Sequence, residues 1–194
     1  MAVVTHLYDT YDDARRAMGD LMAAGIPEAD ISIVANNADN RFTTDGPVAV
    51  DTQSGAGTGT GVGATLGGIA GLLAGLGVMA IPGIGPVVAA GWLASTALGA
   101  VVGGAAGGVI GALTQAGIPE EDAHVYAEGL RQGGTLLTAR VADPDFDRID
   151  RLLSATAVDI ETRRQKYESA GWSRFDEQAR DEQIRRVREK SGMM

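Results

Sequence analysis

Between Asp51 and Glu120 the chain carries no charged side chain, and within that stretch glycine returns at every fourth position. Gly55, Gly59, Gly63, Gly67, Gly71 and Gly75 make one row. Gly91, Ser95, Gly99, Gly103, Gly107 and Gly111 make a second. Ile81-Pro82-Gly83-Ile84-Gly85-Pro86 separates the rows and reads as a turn. The pattern predicts a glycine-zipper hairpin of two apolar helices over residues 57–116, with Gly59, Gly63, Gly67, Gly71, Gly75, Gly91, Ser95, Gly99, Gly103, Gly107 and Gly111 as helix-packing positions.

Such a hairpin cannot stand alone in water. Each glycine inside a helix costs about 1 kcal/mol relative to alanine, and residues 61–80 hold seven of them. Close backbone packing recovers that loss, as small residues four apart do between helices in lipid. A row at spacing four drifts by about 40° per step around a helix of 3.6 residues per turn. The drift implies more than one neighbour for each helix, hence a homo-oligomer.

Two placements satisfy the hairpin. In the first it crosses a bilayer as spans 57–80 and 87–113, each long enough for a hydrocarbon core of about 30 Å. In the second it is buried between subunits of a soluble scaffold, because a helix apolar all round must be covered. The Gly/Ala content drives insertion weakly, and the flanks carry Asp45, Asp51, Glu120 and Glu121 rather than lysines. We expect the membrane placement, on the cytoplasmic side, since the N-terminus has neither a basic region nor a long apolar run.

The charged residues bound the remaining roles. A formal net charge of −9 argues against general nucleic-acid binding. Residues 163–194 hold nine bases and six acids and read as a charged, helical tail. The absence of cysteine removes disulfides, cysteine nucleophiles and thiolate metal sites.

Outside the block the periodicity switches between strand and helix. Val3–Tyr8 predicts a strand. Thr10 with Asp13 predicts an N-cap for a helix over 11–24, ended by Gly25 and Pro27. Residues 30–35 predict a second strand, and 36–56 a polar linker. Pro119 with Glu120, Glu121 and Asp122 opens a helix to about Gln132. A strand over 135–141, a helix after Asp143-Pro144 and a short strand around Val158–Glu161 complete the pattern. The order is β-α-β, insertion, then β-α-β. It predicts an α+β fold, a split ferredoxin-like sandwich of residues 1–35 and 117–162 with helices on one face of an antiparallel sheet. Ala24-Gly25-Ile26-Pro27 recurs as Ala116-Gly117-Ile118-Pro119, a reused helix stop.

Val3-Val4-Thr5-His6-Leu7-Tyr8-Asp9, the Ile81–Pro86 turn among glycines, Ala123-His124-Val125-Tyr126-Ala127-Glu128-Gly129 and Gly171-Trp172-Ser173-Arg174-Phe175 together resemble bacterial general stress proteins of the heat-induced, 17M-like type. The resemblance implies a stress-induced, non-enzymatic, membrane-associated protein and brings no established functional residues.

No catalytic constellation competes with this. Gly61-Val62-Gly63 with Gly67 lacks the acidic residue a dinucleotide fingerprint needs about 20 positions on. His6 and His124 offer too few neighbouring ligands for a metal. Glu120, Glu121 and Asp122 suit a helix N-terminus. Trp92 is expected on the second hairpin helix, as an interface anchor or a packing residue. Tyr167, Trp172 and Phe175 are expected to dock the tail onto the sandwich. No cofactor, metal or small-molecule substrate is expected.

Overall fold

The computed structural model describes residues 1–39, 77–81, 83–93 and 108–176. Five strands, β1 (Ala2–Tyr8), β2 (Ile31–Asn36), β3 (Gly77–Ile81), β4 (Gly85–Gly91) and β5 (Thr135–Val141), form one sheet in the order β1-β5-β2-β4-β3. Every neighbouring pair is antiparallel, so β1 and β2 run parallel on either side of β5. The register sets Ala2 opposite Val141, Ile31 opposite Ala139, and Val34 opposite both Leu136 and Ala89. The fold is mixed α+β.

Helices cover both faces of the sheet, not one. On one face α1 (Tyr11–Ala23) and α4 (Phe146–Ser154) set Ala14, Ala17, Met18, Leu21, Ile149 and Leu153 against Val4, Tyr8, Ile33, Leu137 and Val141. On the other, α2 (Gly108–Gln115) and α3 (Glu120–Arg131) set Val109, Leu113, Tyr126 and Leu130 against Leu7, Val34, Val87 and Leu136. All residues of β2 are buried as a result, although its alternation suggests one buried face. A strand covered on both sides is the reason.

The predicted helical hairpin is corrected at its apex. Residues 77–91 form a β-hairpin that adds two strands to the sheet beside β2. The turn is where the sequence places it, but the flanking segments are extended. Gly83 at φ 76° and Gly85 at φ 104° make the reversal, and Pro86 removes a helical donor at the start of β4. Ile81, Val87 and Val88, buried here, favour a pleated surface over a helix. The spans 57–80 and 87–113 are therefore not continuous helices. Among the described residues no helix is long and apolar enough to cross a membrane.

The last predicted strand is also corrected. Val158 N–H donates to Leu7 O at 2.8 Å on the outer edge of β1. There the pairing stops, because Asp159 accepts from Thr162 N–H at 2.7 Å and caps α5 (Ile160–Ser169). A capping carboxylate that satisfies a helix N-terminus outcompetes two residues of alternation.

Most other elements match their expected positions. Thr10 Oγ1 accepts from Asp13 N–H at 3.2 Å at the start of α1. The repeated helix stop closes in the same way twice. Ile26 N–H donates to Leu21 O, and Ile118 N–H to Leu113 O, both at 3.0 Å. Gly25 at φ 92° and Gly117 at φ 93° supply the left-handed residue this closure needs.

Candidate functional site

The predicted packing residues divide sharply. Gly59, Gly63, Gly67, Gly71, Gly75, Ser95, Gly99, Gly103 and Gly107 lie outside the described residues, as do 40–56 of the expected linker and 177–194 of the tail. Gly111 sits in α2. Gly91 is not in a helix. It ends β4 at φ 91°, where a Cβ would strike Ile31 O and the Ser32 Cα.

Gly91 belongs to an anchor that fixes where the glycine-rich chain leaves the sheet. Trp92 Nε1–H donates to Asp30 O at 3.1 Å. The Arg140 guanidinium stands 5.0 Å over the same indole ring and pairs with Asp30 at 2.8 Å. Trp92 thus packs where β4 leaves the sheet, against the start of β2 and Arg140 of β5. A cation over an indole adds about 0.5–2 kcal/mol, depending on how dry the contact is.

The second polar constellation lies between α3 and the C-terminal strap, residues 160–176. An open groove of about 410 Å³ is lined by Glu120, His124, Arg164, Glu168, Trp172 and Arg174 among others. His124 Nε2 faces Glu120 at 3.6 Å one helical turn away. Arg164 pairs with Asp122 and, at 3.4 Å, with Glu121. The acids that suit the α3 N-terminus therefore also receive the strap. Tyr167 and Phe175 are buried, with the Trp172 ring edge-on to Tyr167 at 5.7 Å. These aromatics dock the start of the tail, as their sequence positions suggest.

Within the groove, His124 Nδ1, Arg164 Nε and Trp172 Nε1 are buried without a hydrogen-bond partner. Nearby, Glu128 is buried but satisfied by the Arg131 guanidinium and by Gln132 Nε2–H at 2.7 Å. The hydrogen bond from Arg131 to Glu128 pushes the Arg131 pKa up.

His6 stands elsewhere, on β1, with Nε2 2.9 Å from Asp150 of α4. Burial lowers its pKa below the ordinary histidine value, and the Asp150 hydrogen bond and charge only partly oppose this. The two histidines lie on opposite faces of the sheet and share no site. Among the described residues no group of three or more metal-ligating side chains comes together.

Sequence reasoning gave Gly91 a helical role and missed Gly129 and Arg140. Of the last two, Gly129 alone left a trace, a glycine inside a strongly helical segment. It lets α3 lie directly on β1, since a Cβ there would collide with the Leu7 side chain. No family model, no curated protein and no solved structure matches the chain.

Proposed function

We propose that the chain is a non-enzymatic stress-response protein whose sandwich domain presents glycine-rich apolar segments, residues 52–76 and 94–107, for association between copies. One observation carries this choice over a membrane anchor. The middle of the uncharged block is woven into the sheet, with β4 paired along β2 and β3 along β4.

Chain length then limits what the flanking segments can do. Residues 94–107 would extend about 21 Å as a helix at 1.5 Å per residue, short of the roughly 30 Å a bilayer core requires. Residues 52–76 could cross once. A single crossing would leave β2 and β3 on opposite sides of the membrane, which is incompatible with their place in one sheet. Two crossings need about 40 apolar residues, more than that segment has. Apolar, uncharged segments rooted in a folded domain gain by burial against one another, and rows of small residues permit close approach. The resemblance to general stress proteins supports the stress role.

We also read β1-α1-β2 with β5 and α4 as a ferredoxin-like unit. Its fourth strand is reduced to the Val158–Leu7 bond, and the β3–β4 hairpin extends its other edge.

Light scattering of the full chain tests association. The expected result is a defined oligomer that dissociates in the Gly67→Leu, Gly71→Leu double variant with β-sheet content retained. A monomeric parent, or a parent that floats with vesicles and resists an alkaline wash, overturns the reading.

A further inference from the structure

We infer that the C-terminal strap, residues 160–176, is a salt-sensitive latch that arginine–carboxylate pairs hold on α3 and that opens as a unit when ionic strength rises.

The sequence of α5 explains why charge must hold it. Ile160-Glu161-Thr162-Arg163-Arg164-Gln165-Lys166-Tyr167-Glu168-Ser169 has no apolar stripe, and Tyr167 is its one buried residue. The other outer helices differ. α1 buries Ala14, Ala17, Met18 and Leu21, and α4 buries Ile149 and Leu153. A helix without such a stripe is not retained by its own face.

Arginines supply the attachment. Arg163 reaches Asp9 at 2.6 Å, just beyond the end of β1, and Arg164 reaches Asp122 and Glu121 at the start of α3. Their side chains are only 18% and 19% exposed, whereas Asp9 and Glu121 are 65% and 74% exposed. Salt ions therefore have access to Asp9 and Glu121, while Asp122 is 27% exposed. Screening acts over a Debye length of about 10 Å at 0.1 M and about 3 Å at 1 M.

Apolar contacts do not remove this dependence. Tyr167, Trp172 and Phe175 bury ring surface, but closure also buries His124 Nδ1 and Trp172 Nε1 without a hydrogen-bond partner and leaves Arg164 Nε only a 3.6 Å ion pair with Glu161. Unmet buried polar atoms offset apolar gain, so the ion pairs decide the balance. Two backbone features shape the moving unit, one at its start and one within it. Val158 is fastened to Leu7 just before α5, and Gly171, at φ 88°, turns the chain between α5 and Trp172. Opening withdraws Phe175 from the core beneath α2 and α3.

Hydrogen exchange read by mass spectrometry on the full chain, at 0.05 M and 1 M NaCl, tests this. Amides of 160–176 should exchange about tenfold faster at high salt, while β1 and β5 stay unchanged. The Arg163→Gln, Arg164→Gln double variant should exchange fast in the strap at both salts, with the sheet still protected. Strap exchange that ignores salt overturns the latch. So does equal acceleration of strap and sheet, or a salt response that survives in the double variant.

Discussion

Gly91 ends β4 directly against the carbonyl of Ile31, in a left-handed conformation at φ 91° and with no room for a side chain. The residue that looks like the first step of a helical glycine row is instead the point where β4 closes onto β2. Gly91→Ala combines an unfavourable φ with a backbone clash. It should cost at least about 2 kcal/mol, read as a lower urea midpoint with an unchanged slope. A loss below about 0.5 kcal/mol, typical of an indifferent surface site, would contradict this placement.

Gly129 and Leu7 form a second close approach, between α3 and β1. Gly129→Ala should destabilise by about 1–3 kcal/mol through overpacking. Since the obstructing atoms belong to the flexible Leu7 side chain, the penalty should shrink in a Leu7→Val background. A double-mutant cycle measures this, and additive effects would refute the contact.

Trp92→Phe keeps an aromatic ring under Arg140 but removes the indole donor to Asp30 O. About 1 kcal/mol should be lost. Arg140→Gln removes the cation and the Asp30 ion pair, and combined with Trp92→Phe it should cost less than in the parent. Thermal unfolding of the four proteins reads the coupling.

His6 gives the fold an acid-sensitive step. Its folded pKa is lowered by burial, so the unfolded chain binds the proton more readily. Stability from this group is complete above the unfolded value of about 6.5 and is lost as pH falls through the folded value. His6→Gln should flatten the decline in thermal midpoint between pH 7.5 and 5.5. Asp150→Asn removes the opposing hydrogen-bonded charge and should lower the His6 pKa further, visible in an NMR titration. A rise in that variant would reverse the assigned cause.

The legible parts of the fold are those where local chemistry and burial agree. Thr10 with Asp13, the repeated Ala-Gly-Ile-Pro stop and the strand-forming run Val3–Tyr8 each specify one local geometry, and each is found. At Gly91 the glycine periodicity misled, because spacing four is a helical signal only if the intervening residues are helical. Val87 and Val88, between two glycine turns and next to Pro86, pair into a sheet instead. Val158–Glu161 failed for the opposite reason, since a local cap at Asp159 overrode weak alternation. The second helical layer was illegible because Leu7, Val34 and Leu136 face it from strands that read as one-sided. Of the candidate sites, the aromatic docking of the tail was readable from Tyr167, Trp172 and Phe175. The Arg140–Trp92–Asp30 anchor joins residues far apart in the chain and leaves no local signal.

The pairing of β4 with β2 is the claim on which the rest depends, and a cross-link tests it directly in a chain that has no cysteine of its own. Val34 and Ala89 are register partners facing the same core. Directly opposed strand residues lie about 4.5–5.5 Å apart at Cα, within reach of a disulfide. A Val34→Cys, Ala89→Cys variant should oxidise to an intramolecular cross-link, whereas Val34→Cys with Val88→Cys, on opposite faces, should not. No cross-link in the first variant, or equal cross-linking in both, would contradict the β-hairpin and the pairing of β4 with β2.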